Sequence, residues 1–360
     1  MADKIGIAVD AMGGSGGPSA IARAIKNFTS FNDDVFFHIF GKKTVLKKEL
    51  ENVGLKPKDY SIIDCKDVIL DNEKPNEAWR KSKSSSMRKA IEAVRDKKAE
   101  AVVSCGNTGV LMLTAKMLLK MLPHIKRPSI VGVIPSSTSK GTVMLDIGAN
   151  VECNEEHLFH FAIMGCCFAK IVLERDDPTV GILNIGSEQI KGRLLEQKIY
   201  TLLQKSKLNF IGFVEGHEVV KDKVDVLVTD GFSGNIFLKA SEGAAEMCMD
   251  IFRGAIKNAG ILGKVASLLL RSKLKAALSV ISPNQHNGAM LIGLNGIVVK
   301  SHGSASTEGI EHALHVAYRL SKEKINERIK EELNKMDKKG ISLNFVDKIK
   351  QKSAEIFGRK

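Results

Sequence analysis

One pattern recurs along this chain: a short β-branched apolar run, a loop joining glycine to Asp, Asn, Ser or Thr, and then a stretch of helical periodicity. The clearest instance spans 224–243, VDVLVTDGFSGNIFLKASEG. Residues 226–228 read as a buried strand, Thr229-Asp230-Gly231-Phe232-Ser233-Gly234-Asn235 as a turn, and the residues beyond as a helix. Strands expected at 5–9, 101–103, 142–145 and 180–184 end in loops of the same kind. Repeated units of this type call for an α/β fold, a largely parallel sheet with helices on both faces. In such sheets the carboxyl ends of the strands line one edge, where helix starts offer N–H groups to anions. The loops are therefore expected to converge on one cleft. The plainer alternative is a set of tight connections whose glycines only satisfy backbone geometry.

Composition narrows the class. Of 360 residues, 44% are hydrophobic and 26% charged, as in a globular chain that can bury one large core or two lobes. No apolar run approaches the ~18 residues of a membrane span, and the first residues lack a signal-peptide pattern. The cysteines at 65, 105, 153, 166, 167 and 248 have no metal or redox spacing, so reduced thiols in a cytosol are expected. No metal site is expected either.

The net charge of +13 is concentrated in the C-terminal third. Residues 250–280 carry six basic side chains against one acid, and 319–360 carry thirteen against seven. Two basic zones on a nearly neutral remainder fit a local anionic partner better than nucleic acid, and one Trp with three Tyr gives little for base stacking. Within 258–280, Ile261, Leu262, Val265, Leu268, Leu269 and Leu270 interleave with Lys264, Arg271, Lys273 and Lys275. A basic amphipathic hairpin over 250–285, its apolar tip entering an anionic bilayer, is one reading; a buried helix pair or dimer contact is the other. From 321 to 360 a charged, solvated helical tail is expected.

The ordered motifs carry a resemblance. AVDAMGG at 8–14, KSSSM at 83–87, SCGNTG at 104–109, LDIGAN at 145–150, ILNIGSEQIKG at 182–192, VTDGFSGNIFLK at 228–239 and NGAMLIGLNGIVVKSHGSAS at 287–306 resemble those of bacterial phosphate acyltransferases. The resemblance covers about residues 4–320 and implies one catalytic domain over 1–320. The chain departs from the family pattern at Ser15, His217 and Glu218. The resemblance implies an α/β/α sandwich like that of isocitrate and isopropylmalate dehydrogenases, and a homodimer. It implies transfer of a fatty acyl group from acyl carrier protein to inorganic phosphate, for phospholipid synthesis. No cofactor is implied, because the carrier protein brings its own phosphopantetheine. Further partners would be an anionic membrane surface and the membrane glycerol-3-phosphate acyltransferase, placing the chain in the cytoplasm at the inner face of the cell membrane.

Phosphate is itself a competent nucleophile, so this chemistry needs positioning and oxyanion stabilisation rather than a Ser or Cys nucleophile. No GxSxG elbow is present. The catalytic candidates are Lys191, as a cation for phosphate, and Asn235, as an amide donor to phosphate or oxyanion. Their plain alternatives are a surface lysine and a turn residue. Candidates for binding substrate are Gly13, Gly14, Ser84, Ser85, Asn107, Thr108, Asn150, Ser233 and Lys239. Ser84 and Ser85, with Ser86, read equally as helix caps. Asp146 and Asp230 would orient Lys191, His302 or backbone amides. His302 could protonate the leaving thiolate or be purely structural.

Two other functions fit the same sequence: a phosphotransacetylase-like enzyme using acyl-CoA, and a non-catalytic scaffold for membrane and carrier protein. A nicotinamide dehydrogenase fits poorly, because no GxGxxG opens a helix after the first strand. The membrane reading predicts flotation with anionic liposomes and its loss in Leu268→Glu; equal flotation of both forms would refute it.

Overall fold

A computed structural model describes residues 4–136, 141–258, 260 and 287–338. The strands are β1 (Ile5–Asp10), β2 (Val35–Gly41), β3 (Tyr60–Asp64), β4 (Ala101–Ser104), β5 (Ser129–Ile134), β6 (Thr142–Leu145), β7 (Thr179–Asn184), β8 (Asn209–Glu215), β9 (Val226–Val228), β10 (Ala289–Ile292) and β11 (Ile297–Lys300). The helices are α1 (Gly17–Thr29), α2 (Lys43–Asn52), α3 (Pro75–Lys81), α4 (Ser86–Arg95), α5 (Thr108–Leu119), α6 (Glu155–Val172), α7 (Leu194–Gln204), α8 (Gly216–Val219), α9 (Gly231–Asn258), α10 (Thr307–Lys322) and α11 (Ile325–Lys338). Among the described residues no helix is long and apolar enough to cross a membrane.

The apolar runs are continuous because both faces of the sheet are covered. Successive residues of a strand point to opposite faces, and each run divides accordingly. Ile7, Val103, Val143, Val226 and Val299 join a core that includes Phe28, Phe161, Ile199 and Leu314 from α1, α6, α7 and α10. Ala8, Val102, Met144, Leu227 and Val298 join a second core with Ala78, Ile91, Leu111 and Val219 from α3, α4, α5 and α8. The architecture is thus a mixed α/β fold with helices on both sides of one sheet.

The eleven strands lie in the order β3-β2-β1-β4-β11-β10-β5-β6-β9-β7-β8. Seven of the ten pairings are parallel. The three antiparallel ones, β11 with β10, β10 with β5 and β5 with β6, are consecutive at the centre. They reverse the sense of the sheet: β6, β9, β7 and β8 run opposite to β3, β2, β1, β4 and β11. This overturns the expectation of a single edge. The loops after β1, β4 and β11 lie at one edge, and those after β6, β7 and β9 lie at the other. Between β11 and β6 stand β10 and β5, and β10, four residues long, spans roughly 12 Å at the usual rise per residue.

The strand expected at 142–145 is β6, and it pairs antiparallel with β5. Two further expectations change. The glycine-bearing segment 231–235 is the first turn of α9 rather than a turn before it. Gly234 is required by close approach, since a Cβ there would stand 1.9 Å from the Asp146 carbonyl oxygen. The segment after 320 is not a solvated tail throughout, because Ile325, Ile329 and Leu333 of α11 are buried in the main core. The hairpin residues Ile261, Leu262, Val265, Leu268, Leu269 and Leu270, and the tail beyond 338, lie outside the described residues.

Two glycines of α9 should respond oppositely to alanine. Gly234→Ala, overpacked against backbone, should cost about 3 kcal/mol. Gly243→Ala, with nothing within 4 Å of the new methyl, should gain about 0.5–1 kcal/mol of helix stability. Denaturant titration of both variants checks the signs.

Candidate active site

At the first edge the polar centre is Asp10, the last residue of β1, buried with both oxygens bonded. Ser86 Oγ donates to Oδ1 at 2.6 Å and Ser104 Oγ to Oδ2 at 2.7 Å. Burial pushes the Asp10 carboxyl above the ordinary aspartate range, against the pull of those hydroxyls and of Lys300. Lys300, the end of β11, donates to the carbonyls of Cys105, at 3.3 Å, and Ser301. Its ammonium is pushed below the usual lysine range by burial, with nearby Cys105, Asp71 and Asp10 opposing. Neither Asp10 nor Lys300 was singled out from sequence; the signal available was a charged residue ending each of two apolar strands.

The sequence candidates at this edge are largely structural. Ser85 is fully buried as the cap of α4, accepting from Arg88 N and donating to Ser82 O. Asn107 caps α5 through Val110 N, and its amide donates to the Asp71 and Glu73 carbonyls. Ser84, half-buried, precedes the α4 cap, and Thr108 is exposed at the start of α5. Gly13 and Gly14 pack on the loops of Gly106 and Gly303, with Ser15 N donating to Gly303 O at 2.8 Å. His302 is exposed, and its Nδ1 lies 2.8 Å from Ser304 Oγ.

At the second edge Asp146, directly after β6, gathers N–H groups. Oδ1 accepts from the backbone of Ile130 (3.2 Å), Gly148 (3.1 Å) and Ala149 (2.8 Å). Oδ2 accepts from Asn150 N and Asn150 Nδ2, both at 2.7 Å. Burial raises this carboxyl above the usual aspartate range while the N–H donors draw it back. The start of α9 rests on the same loop: Gly231 N donates to Asn150 O at 2.8 Å, and the Asn235 side chain covers Gly148.

Asp230, 3% exposed, accepts from Ser233 N at 2.7 Å and pairs with the Arg193 guanidinium. Arg193 also binds Glu196, one turn into α7. Asp230 therefore orients neither Lys191 nor His302. Its cation is Arg193, a residue the sequence reading passed over. The signal was the Arg-x-x-Glu spacing at the start of α7, where Glu196 accepts from the Arg193 backbone N–H at 3.0 Å as well as from its guanidinium.

Lys191 and Asn235 stand apart from this network. Asp146, Asn150, Asn184, Glu196 and Asp230 are buried and bonded to one another or to backbone. Lys191 and Asn235 are exposed, and among the described residues the Lys191 ammonium has no ion-pair partner and the Asn235 amide no hydrogen bond. Ser233 lies half-buried in the first turn of α9. Lys239, one turn beyond Asn235, is paired with Glu242 at 2.6 Å. The second edge thus offers a cation and an amide for an external anion. The two edges are not joined by any hydrogen bond or ion pair between Asp10, Ser86, Ser104 or Lys300 and Asp146, Arg193 or Asp230.

Solved structures of known class share this architecture. A phosphotransacetylase from Streptococcus pyogenes superposes with a TM-score of 0.60 at 20% identity, over 90% of this chain and 95% of that one. A branched-chain phosphotransacylase from Enterococcus faecalis gives 0.53 at 16% identity, over 88% and 99%. These likenesses define the fold as phosphotransacetylase-like. At the level of sequence, a family model described as "Fatty acid synthesis protein" matches residues 5–328. Proteins named phosphate acyltransferase match along nearly their whole length. That of Ehrlichia ruminantium is 43% identical over 92% of this chain and 98% of its own, and that of Anaplasma phagocytophilum 40% identical over 93% and 98%. The chain belongs to the phosphate acyltransferase family and is an acyltransferase.

Lys300 gives the first edge a pH signature. In the unfolded chain it holds its proton up to the ordinary lysine pKa of about 10.4, and in the folded protein it releases it earlier. Between the two values the unfolded state binds more protons, so stability should rise with pH in that alkaline window. Lys300→Met should flatten the rise in urea titrations across alkaline pH; an unchanged slope would refute the assignment.

Proposed function

We propose that the chain transfers a fatty acyl group from the thioester of acyl carrier protein to inorganic phosphate, forming acyl phosphate and a free thiol for membrane phospholipid synthesis. The observation that supports the site is Lys191, exposed and without an ion-pair partner among the described residues. Two carboxylates, Asp230 and Glu196, lie in the same network, and Arg193 takes both. The lysine charge is left available to a mobile anion. Phosphate seated against Lys191 places an oxygen near the thioester carbonyl; the new C–O bond forms and the carbonyl becomes an oxyanion, which collapses back to a carbonyl as the C–S bond breaks, and the departing thiolate takes up the proton that hydrogen phosphate gives up. Asn235 donates to the oxyanion. Positioning of this kind supplies ~7–11 kcal/mol and one oxyanion donor ~3–4 kcal/mol, enough without a covalent enzyme intermediate.

The fine class of the fold, in this reading, is that of isocitrate and isopropylmalate dehydrogenases. The active form is a homodimer, supported by Met247, Ile251 and Phe252, apolar side chains left exposed on α9. The chain works in the cytoplasm at the inner face of the membrane, beside the glycerol-3-phosphate acyltransferase that would use its labile product. The basic zones at 250–280 and 319–360 complement an acidic carrier protein and anionic lipid. Acyl-CoA is the competing donor, favoured by the phosphotransacetylase neighbours.

Steady-state acyl phosphate formation, trapped as hydroxamate, separates these readings. The carrier-protein thioester should exceed acyl-CoA in kcat/KM by at least tenfold, with discharge strictly dependent on phosphate. Lys191→Ala and Asn235→Ala should each lose 100-fold or more with the fold intact. Activity within a few-fold of the parent would remove the residue from the site.

A further inference from the structure

Among the described residues of the second edge, Arg193 is a cation that the proposed chemistry does not use. Its position is unusual for an arginine facing an anion site, because both of its acids are interior. The Asp230 side chain is 3% exposed and that of Glu196 8%, while the Arg193 side chain is 58% exposed. The guanidinium closes over two buried carboxylates from the solvent side. Its planar fork suits this, with Nε on Glu196 and Nη2 shared between Glu196 and Asp230.

The two ends of this contact belong to the two elements that carry Lys191 and Asn235. On one side, Lys191 lies two residues before Arg193 in the loop leaving β7. That loop is held at its other end by Asn184, whose amide donates to the carbonyls of Gly186 (3.1 Å) and Lys191 (3.2 Å). Between the pins, Gly192 has φ +87°, and a Cβ there would fall 2.3 Å from Asn184 Oδ1. Lys191 is therefore fixed from both sides, by Asn184 and by Arg193. On the other side, Asp230 joins β9 to α9 and holds Ser233 N with its second oxygen. Asn235 stands two residues further on in that helix, over Gly148.

We infer that Arg193 is a positioning residue: its bridge from Glu196 to Asp230 sets the Lys191 loop against the start of α9, and so the separation of Lys191 from Asn235 at the phosphate site. The inference rests on the assignment of phosphate to those two residues. Arg193 acts through the loop and does not itself bind phosphate. With Asp230 and Glu196 both engaged, the guanidinium brings no uncompensated charge to the site.

Cutting the bridge from either end separates these roles. Arg193→Gln and Asp230→Asn should each raise the KM for phosphate at least tenfold, leave the KM for the thioester donor within twofold, and be no worse when combined. The amide of Asp230→Asn still accepts from Ser233 N, so the helix start survives. Arg193→Lys keeps the charge without the fork and should fall between the parent and Arg193→Gln. If Arg193 bound phosphate directly, Asp230→Asn would free the guanidinium, and the phosphate KM would hold or fall; that result overturns the inference. Equal rises in both KM values, tracking a drop in Tm, would reduce Arg193 to general support and also overturn it. Should Arg193→Gln fail to fold, Arg193→Lys decides, because the bridge requires a phosphate-selective rise of at least threefold. Failure of the phosphate assignment itself shows elsewhere: the parent enzyme would discharge its thioester without phosphate, or Lys191→Ala would match the parent.

Discussion

The second edge of the sheet depends on the carboxylate of Asp146. A bare buried carboxylate is costly, and this one is made tolerable by five N–H donors drawn from Ile130, Gly148, Ala149 and Asn150. Satisfying it forces the 146–150 loop to wrap around a single side chain. The wrapped loop then presents two carbonyls outward, those of Asp146 and Asn150, as the floor on which α9 begins. Only glycine fits at 231 and 234 on that floor, because any Cβ would strike those same backbone atoms. Asn235, exposed on the next turn, inherits its position from this stack.

The reversal of sense at β10 and β5 shapes the rest. A uniformly parallel sheet would bring every loop to one edge. Here one antiparallel strand between β11 and β5, and the hairpin of β5 with β6, divide the glycine loops between two edges. Each edge acquires a buried aspartate at a strand end, and each aspartate is compensated differently. Asp10 relies on two serine hydroxyls and a nearby buried lysine, whereas Asp146 relies on backbone amides and Asn150. The contrast separates the edges chemically. At the first, the lysine is consumed by the Cys105 and Ser301 carbonyls; at the second, Lys191 has no ion-pair partner among the described residues.

Much of the fold was legible because burial on both faces writes itself into the strands as continuous apolar runs. Residues 226–228 are β9 as expected, and the 130–134 and 142–145 pair is a hairpin. The 287–306 motif concealed two short strands, since glycines at 288, 293 and 296 interrupt its runs. The sense of the sheet was not legible, because direction is set by how β10 inserts between distant strands, a non-local pairing without a local pattern. The helical character of 231–235 was hidden for a similar reason. Two glycines and a serine look like a turn until the loop at 146–150 is laid beside them. Arg193 was missed because a basic residue in an exposed loop is ordinarily solvated, and only the buried depth of Asp230 and Glu196 distinguishes it.

A transfer that needs no enzyme nucleophile places unusual demands on its charges. Phosphate approaches as a polyanion, so acids near its seat must be neutralised without consuming the cation that binds it. Leaving Asp230 and Glu196 unpaired would repel phosphate, and pairing them with Lys191 would remove its attraction. A second cation eases the conflict, cutting the charge of the pair by half, provided that it cannot be drawn off by the substrate. Arg193 meets that condition through geometry: its fork is already engaged by two interior carboxylates, Nε and Nη2 on Glu196 and Nη2 on Asp230. A lysine in its place would make point contacts and compete with Lys191 for the same anion. In the proposed site, the division of labour between a locked arginine and a lysine two residues away, unpaired among the described residues, follows from the charge of the acceptor.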